Sequence, residues 1–208
     1  MSGYKPISGI HQHLCAFHVY AHDRTRPVEA HHFCKHLTPD MHQCIVYDSN
    51  DQNARLIGIE YLITEKVFNT LPQEEKRYWH SHKYEIESGM LQLMRNDLPP
   101  GPVNDKAEQS TMLALHTTYG KTIHTWAIDI YPDLPLGAPQ LMMSYTGDGQ
   151  LDPKWLKARD DKYGMPTEEK RKLRKGYLPP YEKAQGSDAW ETTGKGVIFD
   201  PVEQTVKF

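Results

Sequence analysis

An α+β fold is predicted by two contrasts along the chain. Residues 14–63 alternate apolar and polar side chains with the period of strands, whereas residues 64–119 carry helix starts and 3.6-residue periodicity. With 208 residues, 38% of them hydrophobic, the chain is long enough to bury one sizeable core. The expected architecture is an antiparallel sheet of five or six strands with helices on one side and an irregular C-terminal extension. A single domain is expected over residues 8–165, followed by an extension over 166–208 that wraps the domain or is partly disordered.

The elements follow in order. Residues 14–22 place Cys15, Phe17 and Val19 on one face and His18, Tyr20 and His22 on the other. After the turn at 23–27, residues 28–37 form the hairpin partner, in which His32, Cys34 and His36 alternate with Glu29, His31 and Phe33. Residues 43–48 and 56–63 make a third and a fourth strand around the turn-rich 49–53. Short helices are expected at 64–68 and at 72–77, the latter with Pro72 in its first turn. Strand alternation resumes over 84–93, residues 99–102 read as a loop, and 106–119 as a helix stopped by Gly120. A further strand is expected over 122–131, with His124, Trp126 and Ile128 on one face. Residues 134–143 have no predicted regular structure but carry enough apolar side chains to pack on the core, and 152–163 suit a helix.

Composition narrows function. A net charge of −3 gives no electrostatic footprint for nucleic acid, and the Lys/Arg run at 170–175 is interleaved with Glu168 and Glu169, as on a solvated helix. No stretch approaches the roughly 20 apolar residues of a membrane span. The opening residues lack a secretory apolar core and the myristoylation pattern, so a cytoplasmic chain is expected. Cys15, Cys34 and Cys44 are odd in number with no paired spacing, which argues against a disulfide framework. No Gly-x-Ser-x-Gly elbow or glycine-rich phosphate loop occurs, and Asp160–Asp161 suits salt bridging.

Eight of the twelve histidines fall between His11 and His42, and two more stand at His80 and His82. On a strand His80 and His82 project to one side, and with a following carboxylate they suit zinc, manganese, iron or copper without selecting among them. Glu87, but not Glu85, has the His-to-Glu spacing of cupin metal sites, and the glycine signature before the first histidine is absent. The plain alternative is that His80 caps a helix and His82 sits at a strand edge. His31 and His32 face opposite ways on a regular strand, so at most one joins a given pocket. Cys34 beside His32 and His36 makes a soft ligand set, or a small core residue. His11, His36 and His42 suit solvated faces.

Several ordered segments resemble the oil body-associated protein family. They include His13-Leu14-Cys15, Glu29-Ala30-His31-His32, residues 43–49 and 56–61, Trp79 to Glu85, and Arg159 to Tyr163. The resemblance spans roughly residues 8–165 and implies, for at least some relatives, a lipid-droplet surface. His13, His22, His31, His32, Glu60, His80, His82 and Glu85 lie inside its segments. The candidate metal ligands are therefore His80, His82, Glu85, His31 and His32, with Glu85 and His22 as candidate proton carriers. Two functions follow. One is a metal-binding enzyme acting on a small apolar or aromatic substrate in a pocket lined by Trp79, Tyr84, Trp126 and Tyr131. The other is a non-enzymatic protein, peripheral to lipid droplets, with structural histidines. A mean hydropathy of −0.70 excludes deep insertion and leaves only peripheral attachment, for example through residues 134–143. In the metal reading, His82→Ala removes the metal and leaves the fold largely intact.

Overall fold

The computed structural model describes residues 3–94 and 102–208. Its central feature is closure. Strands β1 (Gln12–Tyr20), β2 (Pro27–Thr38), β3 (Met41–Tyr47) and β4 (Leu56–Thr64) form an antiparallel meander. Two further strands that belong to the same sheet, β7 (Thr118–His124) and β8 (Gln140–Met143), continue from β4 and return to β1. Because β1 also pairs with β2, six strands close into a barrel rather than the open, one-sided sheet expected from sequence. A closed wall has no single face for helices. Both faces of β1 are buried from Leu14 to Tyr20, one inward and the other under surrounding segments, whereas Ile59 and Tyr61 of β4 are exposed on the outside.

The wall between β1 and β7 is completed in two pieces. β8 fills one end, bonding Val19 and Tyr20 on one side and Thr122 to His124 on the other. At the other end sits a short insert, β5 (His80–Ser81), α4 (Lys83–Glu87) and β6 (Gln92–Leu93). β5 pairs with Tyr119 and Gly120 of β7, and β6 pairs with Leu14 and Cys15 of β1. The expected strand over 84–93 is therefore a helical turn followed by a two-residue strand. The insert pairs with each neighbour over two residues only and turns inward between them.

Other boundaries shift for similar reasons. The helix expected to run to Tyr119 is α5 (Pro102–Leu115), and Gly120 lies inside β7 rather than capping a helix. β7 stops at His124, so Trp126 and Ile128 are not on a strand. They pack instead with Ala127 over the barrel end formed by Tyr20, Val28, Ala30, Val46, Ile57 and Met142. The loop expected over 99–102 lies, up to Pro102, outside the described residues. Short helices α1 (Lys5–Ser8), α2 (Glu65–Phe68) and α3 (Gln73–Lys76) flank the meander, the last two where expected. Within the segment left without predicted structure, residues 140–143 are β8.

Three helices and a short strand follow: α6 (Pro153–Tyr163), α7 (Thr167–Arg174), β9 (Gln185–Asp188) and α8 (Trp190–Thr193). Asp152 caps α6 by accepting from the Lys154 N–H, and Gly164 ends it in a left-handed turn. α7 is tied inward by ions. Arg174 and Lys170 both bond Glu108 of α5, at 2.9 and 2.6 Å, and Glu108 also accepts the Leu93 N–H. Asp188 of β9 donates its backbone N–H to the Trp79 carbonyl, which seats the C-terminal segment against the insert.

Cys34 and Cys44 form a disulfide, contrary to the expectation from their spacing. The β2–β3 register places them directly opposite, with Cα atoms 4.1 Å apart. They stand 10 positions apart in the hairpin, and that pairing is invisible without the register. Cys34 is accordingly a buried, bonded core residue and not a metal ligand.

Candidate functional site

Inside the barrel, apolar layers at the two ends enclose a polar one. Along β1 the inward residues run Leu14, Ala16, His18, Tyr20, and along β2 they run Val28, Ala30, His32, Cys34. The middle position of each is a histidine. β4 repeats the order with Ile57, Glu60 and Leu62. Glu60 is thus the carboxylate at the centre of the layer, only 2% exposed.

Four imidazoles converge on it. On Glu60 Oε2, His32 Nε2 lies at 2.8 Å and His18 Nε2 at 3.7 Å, with 3.0 Å between those two nitrogens. On Glu60 Oε1, His80 Nε2 lies at 3.4 Å and His82 Nε2 at 3.3 Å. Behind His18, His124 Nε2 is 2.9 Å from His18 Nδ1. His18, His32 and Glu60 form one group whose ligand atoms lie within 4.8 Å of one another, and Glu60, His80 and His82 form a second. Glu85, on α4, lines the same small cavity.

The insert explains how His80 and His82 reach the interior together. They do not share a strand face, because β5 ends at Ser81 and His82 begins the turn into α4. Gly120 makes room for them. A Cβ there would stand 2.1 Å from Glu60 Oε1 and 2.7 Å from His80 Nε2, so no other residue fits that wall position without displacing the site.

Protonation follows from the surroundings. Burial alone would raise Glu60, but the imidazoles around it, His32 foremost, hold it well below the usual carboxylate range. Burial opposes a charge on His32 too, yet Glu60 carries its pKa up. Burial pushes His18 down to about 4 and His124 well below its ordinary value. Burial, reinforced by the Glu60 charge, pushes Glu85 up to about 7. The tautomer of His82 is fixed by a neighbour. The Thr118 hydroxyl donates to the Leu115 carbonyl, so His82 Nδ1–H must donate to Thr118 Oγ1, at 2.9 Å. A neutral His82 therefore turns the lone pair of Nε2 toward a carboxylate oxygen. His80 has both ring nitrogens buried without a hydrogen-bond partner, and Glu85 Oε2 is in the same condition.

The structure brings together His32, His80, His82 and Glu85 of the residues singled out from sequence. It leaves His31 and His22 outside. His31, next to His32, faces the outer side of the wall, where its Nδ1 is 3.0 Å from His13 Nε2 and its Nε2 is 2.9 Å from Glu29. His22 is exposed beyond the end of β1 and touches the Tyr20 ring edge-on. His82 is buried, so, against the expectation that His82→Ala leaves the fold largely intact, its loss would disturb the fold as well as the site. His36 stacks on His42 at 3.8 Å, away from the layer. Sequence reasoning gave no ligand role to His18, Glu60 or His124. Glu60 lies in a family-like segment and His18 on the inward face of a recognised strand, so both signals were present. What was lacking was the barrel closure that makes those faces one interior.

The layer is not the aromatic pocket expected for an organic substrate. Its lining is Leu14, Cys44, Leu62 and Leu91 around the histidines and glutamates, and it encloses about 10 Å³. That is room for a single water or ion. Trp79 packs with Phe68 and Tyr119, Tyr84 donates to Asp148, and the Trp126 indole donates to the Tyr131 carbonyl.

A family model described as "Protein of unknown function (DUF1264)" matches residues 4–178. Oil body-associated protein 1A of Zea mays is 45% identical over 197 residues, covering 95% of this chain and 79% of that protein. Oil body-associated protein 1B of Arabidopsis thaliana is 44% identical over 174 residues, covering 84% and 69%. Oil body-associated protein 2A of Zea mays is 42% identical over 210 residues, covering 100% and 81%. No solved structure matches.

Proposed function

The chain belongs to the oil body-associated protein family, and from that premise we propose that it is a non-enzymatic protein attached peripherally to a lipid-droplet surface, its buried histidines being structural. One observation carries the reading. The segment that caps the barrel end turns Trp126, Ala127 and Ile128 inward and holds Ile130, Tyr131, Leu134 and Leu136 outward, at 51, 39, 60 and 51% exposure. These side chains are displayed by a fixed loop. The Tyr20 hydroxyl and Arg26 both bond Asp129, at 2.5 and 2.7 Å, Trp126 Nε1 donates to the Tyr131 carbonyl, and Arg55 donates to the Pro132 carbonyl. Four large apolar groups on a preorganised tip suit shallow insertion below phospholipid headgroups, with the tyrosine at the interface. Among the described residues no helix is long and apolar enough to cross a membrane, which fits attachment rather than spanning. The patch moves the attachment segment from residues 134–143 to 130–136, because Leu141, Met142 and Met143 are buried in β8.

The competing reading, a metal-dependent enzyme on a small apolar or aromatic molecule, requires space beside the ligands that about 10 Å³ does not provide. Flotation tests the proposal. Triacylglycerol droplets coated with a phospholipid monolayer should carry the wild-type chain to the floating layer. The triple variant Ile130→Ser, Leu134→Ser, Leu136→Ser should stay largely below while keeping the same circular dichroism. Wild type that does not float would end the droplet reading, and a triple variant that floats equally well would remove this loop from it.

A further inference from the structure

The two halves of the buried layer are spaced differently, and the difference identifies what each is built for. On the His18–His32 side the contacts of 2.8 and 3.0 Å are hydrogen-bond distances. On the other side His80 and His82 stand 3.4 and 3.3 Å from Glu60 Oε1, too long for well-formed hydrogen bonds. Ligands held 2.0–2.1 Å from a tetrahedral ion are separated from one another by about 3.3 Å, and the two separations from Glu60 Oε1 to the histidines have that value. His80 Nε2 is buried with no hydrogen-bond partner, and the Nδ1–H bond to Thr118 turns the His82 Nε2 lone pair to the same oxygen. That bond is also the kind of outer support that ligating imidazoles make. The missing Cβ of Gly120 keeps the ground beside Glu60 Oε1 and His80 Nε2 clear.

We propose that Glu60, His80 and His82 hold a single divalent transition-metal ion of the zinc type, with His32 bonded to the opposite oxygen of Glu60 at 2.8 Å and His18 against His32. Glu85, whose Oε2 is unpartnered in the same cavity, is the side chain available to complete the set. The ion joins β4 of the barrel to the β5–α4 insert, whose own strand pairings are with β7 and, through β6, with β1. Its role is structural, since the cavity leaves no place for a substrate. The inference is independent of droplet attachment and does not fail with it.

The test uses the full chain purified without a histidine tag, incubated with zinc, dialysed, and analysed for metal by mass spectrometry. The expected result is about one zinc per chain. His80→Gln and His82→Gln should each lose at least nine-tenths of it, while the outer-face variant His31→Gln keeps it. A wild-type chain that retains no zinc overturns the proposal, as does a folded His80→Gln or His82→Gln chain that retains it. Should those variants not fold, cobalt(II) added to the wild type decides. Intense visible absorption of four-coordinate cobalt, displaced by zinc, supports the site. The weak spectrum of hydrated cobalt overturns it.

Discussion

His31 and His32 are neighbours on β2, both buried, and they belong to different chemistries. On the outer face His31 has a partner for each ring nitrogen, and its partner Glu29 also accepts from the Tyr163 hydroxyl at 2.8 Å. Burial pushes His13, at the end of that chain, down to about 3, helped by the charge of His31. On the inner face His32 joins a layer in which nitrogens of His80, His32 and His124 and an oxygen of Glu85 are buried and unpartnered. The outer cluster is a closed hydrogen-bond chain, of the kind that fixes a helix onto a wall; Tyr163 is the last residue of α6. The inner layer leaves those atoms without hydrogen-bond partners. Histidine count and burial do not separate the two clusters. Satisfaction of the ring nitrogens does.

The comparison breaks most readily at Glu60. Replacing it by Leu leaves four imidazoles around an apolar side chain and should cost about 3–5 kcal/mol, the penalty of stripping one partner from a buried ionic set. Against the roughly 5–15 kcal/mol by which domains are stable, this leaves a marginal fold, and urea titration should show the midpoint collapse. Little change in the midpoint would mean the inner layer is not the organising feature described here.

Gly120→Ala sharpens the contrast from the wall side. The new methyl must displace Glu60 Oε1 and His80 Nε2, so a loss of about 1–3 kcal/mol is expected. Zinc affinity should fall by about 10–100-fold, the usual effect of disturbing a ligand's support. Unaltered affinity, measured by competition with a chelator, would show that the site tolerates that displacement.

His31→Ala should cost less, about 1–2 kcal/mol, because His13 and Glu29 each lose one partner at a half-buried position. Zinc content should be unchanged. Loss of zinc in this variant would erase the distinction between the faces. The smallest effect belongs to His22→Ala, an exposed side chain with one ring contact, where stability should stay within about 0.5 kcal/mol and zinc content should not move. A larger change would give His22 back a role in the site.

Much of this was legible in the residues. Alternation along residues 14–22 and 28–37 put His18 and Tyr20 on one face and separated His31 from His32, as the structure has them, because a pleated strand admits no other arrangement. The segments around residues 13, 29–32, 43–61 and 79–85 marked the family, since ordered short matches persist wherever the chain must fold the same way. The pairing of Cys34 with Cys44 was not legible, because it depends on which residues of β2 and β3 stand opposite.

What the sequence determined by itself, then, is which side chains can share a surface: period two along a strand is a local property. Which surfaces become one interior was decided by the tertiary structure. Pairing β7 with β4 and β8 with β1 closes the sheet and turns the separate strand faces inward together, and the short β5–α4–β6 insert carries His80, His82 and Glu85 to a carboxylate on β4. Gly120, read locally, is a helix stop; in the barrel it is a wall position where a side chain would displace Glu60 and His80. The physical reason is common to all of these. Strand closure is a long-range pairing set by hydrogen bonds between distant segments, and no window of sequence contains both partners.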